Sequence, residues 1–290
     1  MTERAANTAG RAALACGLLS LAGVAWVATD VRMSGMDGGP GTDPGAIGFF
    51  ISTWVVMMAA MMLPAITPAV ISHRDLRVSQ RNRRRGAPTT GSGPFVVGYL
   101  AVWAAAGLAG YALIEAGRGL AGGPLGWDHA GRGVAAGVLV TAALYQLTPY
   151  KRSCLDRCRT RHAPAPSAWR EGRAGALRMG IEHGAWCLGC CWALMAALFA
   201  LGAMSIGWMV VVSVLIAAER LLPWSVLSTA AVASLLAALA IGVAAAPARV
   251  PMLTIPGSPS AMGAMGAMPA VVTPSPMMHS QPSGMGGSSR

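Results

Sequence analysis

The sequence predicts an all-α fold, a polytopic transmembrane helix bundle of about seven helices, and three observations predict it. Of 290 residues, 54% are hydrophobic and 11% are charged, with a mean hydropathy of +0.53, whereas a soluble domain carries about a quarter charged residues. The apolar residues gather in stretches near the ~20 that a helix needs to cross a ~30 Å hydrocarbon layer. None of these stretches alternates every second residue, which excludes the strands of a membrane barrel, and a backbone in lipid then satisfies its polar groups only as a helix.

The first span runs about Ala12–Thr29. It follows Arg4 and Arg11 as a signal peptide would, but its apolar stretch exceeds the about 7–15 residues of an h-region, so it reads as a retained helix rather than a leader cleaved after Ala25. The second span is Ile47–Ile71, the third Phe95–Gly117 and the fourth about Gly133–Pro149. A fifth, Gly184–Ala203, turns at Gly202–Gly207 into a short sixth near Trp208–Ala218. The count falls to six if these two are one broken helix. The seventh is about Trp224–Ala246, so residues 1–246 form the transmembrane domain. Residues 247–290 are rich in Gly, Pro, Ser, Ala and Met without periodicity, the composition of a disordered tail.

The net charge of +11 sits in loops between apolar segments, where it reads as topology and not as a nucleic-acid surface. Loop His73–Pro94 carries Arg74, Arg77, Arg81, Arg83, Arg84 and Arg85 against Asp75 alone. Loop Tyr150–His183 carries Lys151, Arg152, Arg157, Arg159, Arg161, Arg170, Arg173 and Arg178 against three acids. Loop Asp30–Ala46 is acidic, with Asp30, Asp37 and Asp43 against Arg32. The positive-inside rule therefore puts the N-terminus and both basic loops in the cytoplasm, and seven crossings bring the tail outside.

Eighteen methionines and six cysteines are the unusual feature. In the second span Met57, Met58, Met61 and Met62 crowd four thioethers into about one and a half turns just before Pro64, a residue that frees a backbone carbonyl. Thioethers are soft and weakly coordinating, which suits Cu(I) in passage, although methionine also packs well in any bundle. In the fifth span Cys187, Cys190 and Cys191 fall at i, i+3 and i+4 and share one face; four residues either way the ladder meets His183 and Met195. Cysteine as a small buried residue is the plainer reading of the same pattern. Cys154 and Cys158 form a C-x3-C that suits one helical turn, and the flanking Lys151, Arg152 and Arg157 favour the thiolate that binds metal. A reducing compartment argues against a structural disulfide there. Zinc is a second metal that thiol and imidazole accept. Cys16 reads as core, and His73, His129 and His162 as single solvated loop residues. The tail carries Met262, Met265, Met268, Met277, Met278, His279 and Met285, and Met33 and Met36 occupy the first outer loop; such Met/His segments collect Cu(I) where thiols would oxidise.

Four segments together resemble a bacterial family of predicted metal-binding integral membrane proteins: Met57–Pro64 (MMAAMMLP), Tyr145–Arg159 (YQLTPYKRSCLDRCR), Trp186–Met195 (WCLGCCWALM) and Glu219–Pro223 (ERLLP). They stand in the family's order within about residues 45–240. Where the family pattern has Lys, this chain has Arg220. Some relatives are described as copper chaperones for the maturation of a polyphenol oxidase, so the resemblance implies copper handling in a bacterial inner membrane for a cuproenzyme client.

Three functions compete at this point. A copper-handling membrane protein accounts for the thiols and thioethers. A transporter of an unrelated solute lacks an acidic relay, since Glu115, Glu182 and Glu219 lie at the ends of predicted helices. A membrane thiol–disulfide redox protein is permitted by the C-x-x-C of Cys187–Cys190. No P-loop implies a nucleotide-driven pump, and the chain is expected not to be an enzyme. Nothing in the sequence fixes an oligomeric state.

Overall fold

Long apolar runs with few helix breakers fold here into eight α-helices and no strand among the described residues, which in this computed structural model are 2–33, 46–83, 91–121, 131–159, 172–202, 205–222, 225–251 and 253. In order they are α1 (Thr2–Met33), α2 (Ile47–Arg83), α3 (Gly93–Ala121), α4 (Arg132–Gln146), α5 (Pro149–Cys158), α6 (Gly172–Leu201), α7 (Ile206–Leu221) and α8 (Ser225–Ala245). All the tail methionines and the histidine named above, with Met36, His129 and His162, lie outside the described residues. A 3-10 turn at Pro247–Arg249 continues the chain past α8, and Val250 packs back against Gly242.

Five helices (α1, α2, α3, α6 and α8) are long and apolar enough to cross a membrane, and the bundle fits a membrane protein. The seven expected apolar helices are all present, but α4 has 15 residues and α7 has 16. At 1.5 Å rise per residue each measures about 22–24 Å, short of the ~30 Å hydrocarbon layer. The fifth and sixth spans are two helices, not one broken one. Gly202, with φ of +109°, takes the left-handed conformation that ends a helix and that glycine adopts without strain.

Helix ends differ from the hydropathy boundaries for a local reason. Residues 172–183, expected in a loop, form the first turns of α6, because Arg, Ala, Leu and Met are good helix formers whether or not lipid surrounds them. The helix α2 likewise runs through Pro64 and Pro68 and on to Arg83. Inside that stretch the Thr67 hydroxyl donates to the Leu63 carbonyl at 2.8 Å, the kind of side-chain bond that keeps proline-interrupted helices satisfied in lipid.

The extra helix, α5, follows from one dipeptide. Proline disfavours the helical region for the residue before it, so Thr148 is extended (φ −71°, ψ 147°) and α4 stops. Pro149 then opens α5 at a position where its missing N–H costs nothing, and the Thr148 hydroxyl caps it by accepting from the Lys151 amide at 3.3 Å.

The helix α6 is the centre of the bundle. It packs against α3, α4, α5 and α7, while α4 also pairs with α8. Of its most apolar window 61% is buried, against 22% for α1, which packs on α2 at one side. That placement corrects the reading of Cys16 as core. The buried stripe of α1 is Leu18, Ala22, Ala25, Thr29 and Met33, and Cys16 lies on the opposite, exposed face.

Candidate metal centre

Small residues bring α3 and α6 together. A Cβ on Gly98 would fall on the Leu177 carbonyl, one on Gly180 would fall on the Phe95 carbonyl, and one on Gly184 would stand 3.1 Å from the Val102 side chain. The two backbones therefore cross closely, as small-x3-small pairs allow in lipid. The close crossing sets Tyr99 of α3 against Cys187 of α6, with hydroxyl oxygen and Sγ 2.9 Å apart. The same crossing sets His183 against the tilted rings of Phe95 and Tyr99, at centroid distances of 5.8 and 6.1 Å.

The thiols of α6 share one face, as their spacing predicts, and all three are buried. Cys190 Sγ lies 3.4 Å from Cys191 Sγ and 3.7 Å from Cys158 Sγ of α5. Four of the predicted residues thus converge: Cys158, Cys187, Cys190 and Cys191. Cys154, one turn back on α5, is buried at a different point of the same contact, where a Cβ on Gly189 would stand 3.0 Å from its Sγ. Met195 is buried one turn beyond Cys191.

Met57, Met58, Met61 and Met62 are all buried in α2. The helices α2 and α6 run antiparallel and meet through aromatic rings. Trp54 stacks on Phe199 at 5.5 Å, and Phe95 bridges His73 and His183 at 5.0 and 5.8 Å. The four methionines belong to the same buried core cluster as the cysteines of α5 and α6. His73, expected in solvent, is buried against Phe95 because α2 continues past the end of its apolar run.

Three features of the centre escaped sequence reasoning. The first is Arg220 of α7, buried, with Nη2 2.6 Å from Cys187 Sγ, 3.5 Å from Cys190 Sγ and 3.4 Å from Cys191 Sγ. The second is Tyr99; a tyrosine deep in an apolar helix needs a polar partner for its hydroxyl, and that was the available signal. The third is an ion pair. Lys151, assigned above to a charged loop, is fully buried and donates to both carboxylate oxygens of Glu219, at 2.8 and 2.7 Å, and to Gln146. Glu219 is buried as well, so both charges need each other. Arg159 caps the end of α7, donating to the carbonyls of Glu219 at 3.1 Å and Leu222 at 2.8 Å. Arg157 sits 4.0 Å above the Trp186 ring. These contacts clamp α5 across α6 and α7 and hold Cys158 over the thiols of α6.

Chemically the group is a set of soft donors shielded from water. The adjacent His183 Nε2 is buried without a hydrogen-bond partner among the described residues, so a nitrogen donor stands beside the sulfurs. This donor set fits a thiophilic metal ion. Among the described residues no three or more His, Cys, Asp or Glu side chains are already drawn together at metal-holding geometry, and the guanidinium lodged among the sulfurs gives a physical reason.

Residues 51–243, more than half of the chain, match the sequence model of the family PpoB2, described as copper chaperone. The match takes in the four methionines of α2, all the cysteines except Cys16, and Tyr99, Lys151, Glu219 and Arg220. No curated protein and no solved structure matches the chain significantly.

Proposed function

The chain belongs to the PpoB2 family of copper chaperones, and from that premise we propose that it takes up Cu(I) at the buried thiols and passes it to a cuproenzyme client. Copper is cargo in this reading, not a catalytic centre, and the protein is a carrier rather than an enzyme. It resides in a bacterial inner membrane, with the N-terminus and the α5 end of the bundle facing the cytoplasm and the tail outside.

The observation that carries the reading is the convergence of Cys187, Cys190 and Cys191 with Cys158 from a second helix. One helix cannot surround a metal, and here α5 supplies a thiol from the other side. Thiolate binds Cu(I) more tightly than thioether does, so the cysteines are the holding site. His183 and Met195 flank it, and Cys154 supports α5 against α6. Met57, Met58, Met61 and Met62 form the weaker route along which the ion leaves. Zinc competes for thiol and imidazole, and the match to a copper-chaperone family favours the softer ion.

Titration of detergent-purified protein with Cu(I) under reducing conditions, against a chromophoric chelator, tests this. The parent is expected to hold copper, and the combined variant Cys187→Ser, Cys190→Ser, Cys191→Ser to lose tight binding. Undiminished binding by that variant would refute the site. A thiol–disulfide function, favoured by the Cys158–Cys190 approach, would instead appear as a reversible disulfide with no copper held.

A further inference from the structure

We propose that the Arg220 guanidinium is a placeholder for the cargo: it occupies the position among Cys187, Cys190 and Cys191 that the metal takes, and copper enters by displacing it. The inference rests on the copper reading above and adds how the site is filled.

Three observations carry it. Nη2 lies within 3.5 Å of all three sulfurs of α6, so a positively charged nitrogen already sits at the focus of the donor set. Arg220 is buried, yet its Nε and Nη1 have no hydrogen-bond partner among the described residues. A guanidinium built as a fixed counter-charge is held by a carboxylate or by carbonyls through several of its five donors. The neighbouring carboxylate, Glu219, is instead bound by Lys151, and the carbonyls at the end of α7 are taken by Arg159. The guanidinium is thus held by sulfur alone, through one nitrogen. Its position also allows withdrawal, because Arg220 lies in the last turn of α7 and the next two residues, Leu221 and Leu222, are exposed.

The logic is electrostatic. A cluster of sulfur donors kept ready for a cation is costly to leave dry and unpaired in an apolar bundle. A tethered monovalent cation satisfies the metal-free cluster, and a monovalent metal replaces it like for like. In the exchange copper stays cuprous and no electron moves. The N–H···S contacts break, the guanidinium leaves with its charge, and Cu(I) bonds to the thiolate that the guanidinium had paired. Each further thiol that joins the copper releases its proton to the medium, and the soft chelator that delivered the ion departs.

The test uses the full chain in detergent micelles and Cu(I) supplied as its bicinchoninate complex. Phenylglyoxal modification of arginines, read by peptide mass spectrometry, reports whether Arg220 is covered. In the metal-free protein Arg220 is expected to be protected while exposed Arg152 reacts. One equivalent of Cu(I) should raise Arg220 modification several-fold and leave Arg152 unchanged. In parallel, Arg220→Leu should take up Cu(I) about tenfold faster or more, the scale of one charge-assisted contact removed from the path. Arg220 that stays protected in copper-loaded protein overturns the placeholder, as does unchanged or slower uptake by a folded Arg220→Leu. If that variant does not fold, the phenylglyoxal result on the parent decides. A parent that takes up no copper overturns the functional reading itself, and the placeholder with it. Copper-loaded parent with Arg220 still covered overturns the placeholder alone.

Discussion

Replacing Gly180 by alanine adds one methyl group where the structure has no room for it. The new Cβ falls on the Phe95 carbonyl of α3, a backbone group that cannot rotate aside. To restore ordinary contact the two helices must separate by roughly 1.5 Å, and overpacking of this kind costs about 1–3 kcal/mol. The separation reaches Tyr99, one turn along α3, whose hydroxyl is 2.9 Å from Cys187 Sγ. Opened by that amount the contact leaves hydrogen-bond range, which removes about another 0.5–1.5 kcal/mol. The expected total is about 2–4 kcal/mol of unfolding free energy, measured by SDS titration in mixed micelles. Cys187 should also become faster to alkylate. Gly137→Ala on α4 is the control, because a Cβ there meets nothing within 4 Å. It should be neutral, or stabilising by up to about 1 kcal/mol through helix propensity. If Gly180→Ala loses no more than Gly137→Ala, the close α3–α6 crossing does not hold the centre together.

Lys151→Met leaves the buried Glu219 carboxylate without its partner and should cost about 3–5 kcal/mol; adding Glu219→Gln should recover much of the loss, and additive losses in the same SDS assay would refute a coupled pair. Cys158→Ser should weaken Cu(I) binding in chelator competition more than Cys154→Ser, since Cys158 approaches Cys190 while Cys154 packs against Gly189; the reverse order would redraw the site. Met58→Leu with Met61→Leu conserves volume and apolarity, so stability should change by less than about 1.5 kcal/mol while copper transfer to a client slows; unaltered transfer would leave those methionines as packing. A reporter active only outside the cytoplasm should work when fused after Gly39 and fail near Arg84, and activity at Arg84 would invert the orientation.

Hydropathy and helical spacing are local properties, and the features legible in the sequence are the local ones. The membrane class, the apolar helices, the shared face of Cys187, Cys190 and Cys191, and the single turn of Cys154 and Cys158 all depend on residues within a few positions of one another. Helix ends were less legible, because propensity continued α2 and α6 beyond the apolar runs that mark lipid. Which helices become neighbours, and which way each one turns, depends on where backbones approach closely, and no periodicity records that. Tyr99 reaches Cys187 across 88 residues because Gly98, Gly180 and Gly184 let α3 and α6 cross without side chains between them. Lys151 reaches Glu219 across 68 residues because Thr148 and Pro149 turn the chain into α5 and lay it over α6 and α7. From the sequence Lys151 was a loop charge and Arg220 a mild departure from lysine. Burial made the first half of an ion pair and set the second among three sulfurs, because a charge taken out of water must find its partner wherever the packing of the helices puts one.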